Sequence, residues 1–434
     1  MHALPLLRHD PAAVFACRDG LRVTAREFLA DATRLAVALP ERRYVVNLCS
    51  DRYRFAVGLA AALLRRQTTL MPPNQTPDFL ERLQRAYADL YRLTDDLLDA
   101  AAAAAAKAPG AVPRIPADHI AAILFTSGST GEPQPHPKRW GGLVASALAE
   151  LERFRGVVRP GMSVLATVPP QHMYGLESTV LMALQGALVL DAGRPFFPAD
   201  VCAALEATPR PRALVTTPIH LRALLDGAAE LPALDFLLCA TAPLAPQLAS
   251  EAETRFRAPL HEIYGCTEAG QVATRRTAAG PEWQMFGHFR LRQDEKGTWL
   301  SGGHVDTELL LGDVIELGAA GRFLLHGRTG DMVNIAGKRS SLASLNYHLN
   351  SIAGVRDGAF VIPQAGAALT RLAAYVVAPG CSEEQILEAL RQRIDAAFLP
   401  RPLYLVESLP RNDVGKLPRL ALDQLSTRLT AKAG

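Results

Sequence analysis

Short apolar runs separated by longer amphipathic stretches set the rhythm of this chain. Thr24 and Glu27 form a T-x-x-E capping box. It precedes a stretch in which Phe28, Leu29, Ala32, Leu35, Ala36 and Leu39 share one helical face. Tyr44 to Leu48 reads as a strand, Arg54 to Leu64 as a second helix, and Pro72-Pro73-Asn74 as a break. Ile120 to Phe125 is a largely apolar run of the length of a buried strand. Ser163 to Val168, Ala187 to Leu190, Ala213 to Thr216 and Phe236 to Cys239 repeat it, with helical stretches between. Pro218 stands at a helix start, where its missing N–H costs nothing. This order predicts an α/β fold: mostly parallel sheet flanked by helices.

From Gly297 the pattern changes to hairpins with Gly-rich turns, GTWLSGG and GDVIELGAAGRFLLHG. A boundary is expected between Gly327 and Asp331. Residues 1–328 then form a large N-terminal domain with a β-hairpin subdomain, and 329–434 a small α+β C-terminal domain. In the latter, Leu342 to Ile352 reads as helix, and Ala359 to Ile362 and Leu372 to Val377 as strands. Ser382 and Gln385 make a second capping box for a helix expected to end near Phe398. The alanine tract Ala100 to Ala106 is helix-prone by propensity.

Composition narrows the class. The 434 residues exceed one ordinary domain, and 49% hydrophobic with 21% charged residues is a globular profile. A net charge of +3 without a Lys/Arg block does not indicate nucleic acid as a partner. Six dispersed cysteines with no C-x-x-C pair fit a reduced cytoplasm, and no apolar run reaches the length of a membrane span.

Chemistry gathers at Thr126-Ser127-Gly128-Ser129-Thr130-Gly131, directly after the Ile120–Phe125 run. Hydroxyls, backbone N–H groups and two glycines can wrap an anion, although the Walker pattern is absent. Four further stretches follow in order: Tyr264-Gly265-Cys266-Thr267-Glu268, Gly312-Asp313, Gly327-Arg328 through Lys338, and Gly415-Lys416. Singly, each has a plain alternative. Tyr264 reads as a core aromatic, Asp313 as a hairpin-turn aspartate, Glu268 as a helix first-turn acid and Lys416 as a solvated lysine.

Together with TSGSTGEP, these stretches resemble the ordered signature of the adenylate-forming superfamily, which includes acyl- and aryl-CoA ligases, peptide-synthetase adenylation domains and luciferases. The resemblance runs from about Leu21 to about Leu422. It implies that a carboxylic acid is activated on ATP as an acyl-adenylate, with Mg²⁺, and passed to the thiol of CoA or a phosphopantetheinyl acyl carrier protein. By resemblance, Thr126, Ser127, Gly128, Ser129, Thr130 and Gly131 hold the β- and γ-phosphates. Tyr264 and Gly265 lie against adenine, as does the small-residue turn Ala240-Thr241-Ala242. Thr267 meets the α-phosphate, Glu268 the Mg²⁺, Asp313 the ribose hydroxyls and Arg328 the ribose or phosphates. Lys416 is the catalytic lysine of a mobile small domain. His172, in PPQHMYGLE, would gate the acyl pocket, bordered also by Ala240 and Gly265.

Two departures from the family pattern stand out. Gln134 follows Pro133 where relatives place a lysine, a charge that Lys138 or Arg139 could replace. Gly330 occupies the expected hinge, and Gly337 and its neighbours would greet the incoming thiol. The stretches TSGSTGEPQPHPKRWG and NLCSDRYRFAVGLAAALLRRQTTLMPPN look most like compact ligases of aryl-polyene pigment biosynthesis. That finer likeness implies an aromatic acid such as a hydroxybenzoate or hydroxycinnamate. An aliphatic or β-hydroxy fatty acid ligase and a non-catalytic nucleotide-binding protein are the alternatives.

Overall fold

The computed structural model describes residues 2–102, 109–127, 133–227, 230–335, 337–362, 371–411, 417, 421–422 and 424–425. Among these, two sheets organise most of the chain before Thr329. The smaller has five strands, in the order Leu90–Leu93, Tyr44–Asn47, Thr68–Met71, Ile120–Ser127 and Pro133–Arg139. All its pairings are parallel except the last, a hairpin in which Pro133–Arg139 runs back along Ile120–Ser127. The sequence pattern gave no hint of that edge strand, because three prolines stand in its seven residues. Pro133, Pro135 and Pro137 alternate, so the N–H that each lacks would point away from the neighbouring strand. On an edge, no ladder bond is lost.

The larger sheet has eleven strands. Its parallel heart runs, in order, Val14–Arg18, Val189–Asp191, Ser163–Ala166, Arg212–Thr216, Phe236–Cys239 and Leu260–Cys266. Beyond Leu260–Cys266 the sheet turns antiparallel through Gly270–Arg275, Trp283–Met285, Arg322–Arg328 and Asp313–Leu317. The central strands are buried along their length, as expected of strands covered on both faces.

Helix boundaries follow local chemistry. The Thr24–Glu27 box caps Ala25–Ala38, with both reciprocal bonds present. The next helix begins at Arg52, two residues before the expected Arg54, because the Asp51 carboxylate accepts the Arg54 N–H at 2.6 Å. The Ser382–Gln385 box caps a helix that closes at Arg391, with a separate 3₁₀ turn at Ala396–Phe398. The expectation of one helix to Phe398 is therefore corrected; Asp395 accepts the Ala397 N–H and starts the new turn.

From Val333 onward the buried side chains form a cluster of their own, with Leu345, Leu349, Phe360, Val376, Ile386, Leu390 and Leu403 at its centre. Its sheet is Asp357–Val361, Ala373–Val377 and Leu403–Leu405, backed by the helix Leu342–Asn350. Gly330 lies in a 3₁₀ turn, Thr329–Asp331, where an added Cβ would meet nothing. No helix among the described residues is long and apolar enough to cross a membrane.

One buried cation ties the helix Arg52–Leu64 to the larger sheet. Arg52, fully buried, donates to the carbonyls of Ala166 (3.0 Å), Val168 (2.8 Å), Asp191 (3.2 Å) and Gly193 (2.6 Å). Burial pulls its pKa down to about 10, so it is still charged at pH 7. Arg52→Met strands four carbonyls and should lower unfolding stability by roughly 3 kcal/mol. Urea titration tests this; an unchanged midpoint would show that solvent or neighbours replace the guanidinium.

Candidate active site

The site forms where the parallel sheet reverses. Leu260–Cys266 ends in a three-residue turn, Thr267–Ala269, and returns as Gly270–Arg275. An added Cβ at Gly265 would strike the Gly270 carbonyl, and Gly270 itself has φ +78°. Both glycines are therefore set by the tightness of the turn. A register shift at Tyr264/Gly265 then re-aims the strand's end.

Tyr264 packs edge-on to Phe323 and tilted against Trp283, with centroids 5.7 Å away in each case. Its hydroxyl donates to Asp313 Oδ2 at 2.7 Å. Burial, then the Asp313 charge, pushes the phenol well above its ordinary pKa. Asp313 and Arg328 are directly paired across antiparallel strands, with Arg328 Nε 3.9 Å from Asp313 Oδ1. One Asp313 oxygen is thus already engaged by Tyr264, which qualifies the expectation that both serve a ligand.

Glu268 projects from the turn, with its side chain 44% exposed. His136 Nε2 lies 3.7 Å from its carboxylate and 2.9 Å from Thr126 Oγ1. Lys138 Nζ donates to the Glu268 backbone carbonyl at 2.5 Å. Burial works to raise the Glu268 pKa. Hydrogen bonds from its own backbone and from Cys266, with the His136 and Lys138 charges, hold it below the ordinary value. Burial, with the nearby Lys138 charge, lowers the His136 pKa from its ordinary value, and the Glu268 charge opposes that fall. Thr126, Glu268, Tyr264, Asp313 and Arg328 thus form one continuous run, linked through His136 at one end and through the strand to Cys266 at the other.

Thr126 and Ser127 belong to the strand, which runs two residues beyond the apolar stretch. Gly128, Ser129, Thr130 and Gly131 lie outside the described residues, as does Lys416. Thr267 is half-buried in the turn. Ala240, Thr241 and Ala242 follow directly on the strand Phe236–Cys239, and Thr241 has φ +86°, a rare value for a β-branched residue and the mark of a forced turn. His172 precedes a helical segment, Met173–Gly186, whose middle part, Leu176–Leu181, is π-helical. Arg139 donates to Asp306 at 3.1 Å and to the Asp118 carbonyl at 2.9 Å.

Sequence reasoning missed what lies beneath. Glu177 and Glu150 are both buried, with pKa values raised by burial to about 7 and about 8. Ser146 Oγ donates to Glu177 Oε1 at 2.5 Å, and Gln271 Nε2 donates to Glu150 Oε2 at 2.9 Å and to Ser178 Oγ at 2.8 Å. Glu150 Oε1 and Gln271 Oε1 are buried without a partner among the described residues, so a proton on Glu150 provides a donor where two acceptors otherwise stand alone. The available signal was polar residues at helical spacing, Ser146 with Glu150, on an otherwise apolar helix face.

The raised pKa has a stability consequence. The ordinary value is 4.5. Between there and about 8 the unfolded chain releases a proton that the folded chain keeps, so stability falls as pH rises through this window. Glu150→Gln should flatten the fall between pH 5 and 8 by roughly 1 kcal/mol per pH unit. Urea unfolding at three pH values measures it, and an unaltered slope would mean that another group titrates.

Comparison with known proteins gives a consistent placement. The model of the AMP-binding enzyme family matches residues 41–289. A 4-coumarate–CoA ligase of Rhodobacter capsulatus is 30% identical over 301 residues, 68% of this chain and 74% of that one. A probable 2-succinylbenzoate–CoA ligase of Mycobacterium tuberculosis is 28% identical, covering 70% and 84% respectively. The ATP-bound structure of MatB from Rhodopseudomonas palustris superposes with a TM-score of 0.80 over 97% of each chain, at 19% identity, a likeness of fold. The chain therefore belongs to the AMP-binding enzyme family, the adenylate-forming superfamily, as an AMP-forming acid–thiol ligase.

Proposed function

We propose that this ligase activates an aromatic carboxylic acid, of the hydroxybenzoate or hydroxycinnamate class, and transfers it to the thiol of CoA or of a carrier protein's phosphopantetheine. In the first step a carboxylate oxygen bonds to the α-phosphorus of ATP while the bond to pyrophosphate breaks. In the second, the thiol sulfur bonds to the acyl carbon, the proton is lost, and AMP leaves. The observation that carries the reading is the run from Thr126 through His136 and Glu268 to Tyr264, Asp313 and Arg328. It supplies phosphate-side hydroxyls at one end and an aromatic ring with a carboxylate at the other. That is the polarity of a nucleotide laid along the edge of the sheet.

In this reading Thr126 to Gly131 hold the β- and γ-phosphates, and Thr267 meets the α-phosphate. Tyr264, Gly265 and the Ala240–Ala242 turn enclose adenine, and Asp313 with Arg328 takes the ribose. His172, Ala240 and Gly265 border the acid. Lys416, from the small domain, neutralises charge on the carboxylate and α-phosphate. Residues 329–434 swing about Gly330 between the two steps.

The donor set suits Mg²⁺. Glu268 is a half-exposed hard carboxylate, separated from the Thr126 hydroxyl by the His136 ring. A single protein carboxylate suits an ion that keeps waters and substrate phosphates as its other ligands. When bound, the ion neutralises phosphate charge. The aromatic assignment draws on relatives named for 4-coumarate and 2-succinylbenzoate.

Exchange of labelled pyrophosphate into ATP, run over hydroxybenzoates, hydroxycinnamates and medium-chain acids, should be at least tenfold faster with the best aromatic acid. Faster exchange with a medium-chain acid overturns the substrate class, and silence across the panel overturns the adenylation scheme. Asp313→Ala should raise the apparent KM for ATP about 10- to 100-fold, the cost of losing a charged hydrogen-bond acceptor. An unchanged KM would remove Asp313 from the nucleotide site.

A further inference from the structure

His136 and Lys138 are two residues apart on one strand, so both side chains leave the same face. Both meet Glu268, but at different atoms. His136 Nε2 approaches the carboxylate at 3.7 Å, and Lys138 Nζ takes the backbone carbonyl at 2.5 Å. A cation on the carbonyl holds the backbone of the turn and leaves the carboxylate free for other work. Lys138 is half-buried, and the acids facing its ammonium are Glu177, Glu268 and Asp306, with the Cys266 sulfur beside them.

Glu177 gives the arrangement its depth. It is 1% exposed, lies on the π-helical segment, and accepts from Ser146. Its Oε1 stands 2.7 Å from where a Cβ on Gly270 would sit, directly under the returning strand. The turn is thus held from one side by Lys138 and backed from beneath by the buried Glu177 side chain. π-Helical insertions of this kind are concentrated at functional sites.

We propose that Lys138 is a positioning residue that fixes the Glu268 turn against the phosphate-loop hairpin through the Glu268 carbonyl, with Glu177 buried beneath the same turn. It takes over part of the role left open by Gln134, by setting the carboxylate that faces the nucleotide instead of touching phosphate. The inference rests on the adenylation reading, in which Glu268 serves a nucleotide-bound Mg²⁺.

Calorimetric titration of ATP into the full-length protein, with no acid substrate present, tests it with and without Mg²⁺. Wild type should bind ATP more tightly with the ion. Lys138→Met should keep metal-free affinity within twofold and lose at least fivefold of the Mg²⁺-dependent gain. Lys138→Arg, which keeps charge and donor, should restore at least half of that loss on a logarithmic scale. In a Glu268→Gln background, Lys138→Met should change affinity by less than twofold, because the two act as one unit. A tenfold loss of metal-free affinity in Lys138→Met would make Lys138 a direct phosphate contact and overturn the proposal. So would a full effect persisting without the Glu268 carboxylate. If Lys138→Met does not fold, Lys138→Gln takes its place with the same thresholds. Absence of ATP binding by the wild type overturns the adenylation reading itself, whereas ATP binding with no gain from Mg²⁺ overturns only the metal role of Glu268 and this inference.

Discussion

The reversal of the large sheet after Leu260–Cys266 is the constraint on which the rest of the site depends. Six parallel strands deliver their carboxyl ends to one edge, the usual location of ligands in such sheets. At the sixth, the chain must turn in three residues and come back as its own neighbour. A turn that tight admits almost no slack. It needs glycine at positions 265 and 270, it shifts the register at Tyr264, and it leaves Thr267 and Glu268 on the outside of the bend. The antiparallel strands that follow bring Asp313 and Arg328 back as a directly opposed pair beside Tyr264. Residues nearly fifty positions apart, Tyr264 and Asp313, are brought by that pairing to within a hydrogen bond.

Much of this was legible in the chain. The strands Phe236–Cys239 and Arg212–Thr216 coincide with apolar runs, and both capping boxes form with reciprocal bonds. What escaped was structure whose determinants are not periodic. The Pro133–Arg139 strand has a composition that argues against any strand, and only its edge position makes the prolines harmless. The helix start at Arg52 depends on one aspartate oxygen, and the break after Arg391 on one Asp395 contact. Neither leaves a mark in hydrophobic spacing.

The candidate site divides in the same way. Tyr264, Glu268, Asp313 and Arg328 could be named because an ordered set of short motifs survives as sequence. Glu150, Glu177 and Gln271 could not, since each is an isolated polar residue among apolar ones. Their meaning comes from three elements meeting: the helix Trp140–Arg153, the π-helical turn and the strand Gly270–Arg275. Arg52 is a similar case, a charge that reads as surface by type yet ties a helix to two neighbouring strand ends of the larger sheet through carbonyls. Buried polar groups of this kind make a core specific, because each must find its own partner or remain costly.

The alternating prolines have a consequence for how this molecule lives among others. A naked sheet margin ordinarily invites a foreign chain to zip onto it, since each outward amide is a free hook. Here three successive outward hooks, at Pro133, Pro135 and Pro137, have been removed by the pyrrolidine rings. An edge built this way needs no protective helix or flap to turn away a stray polypeptide.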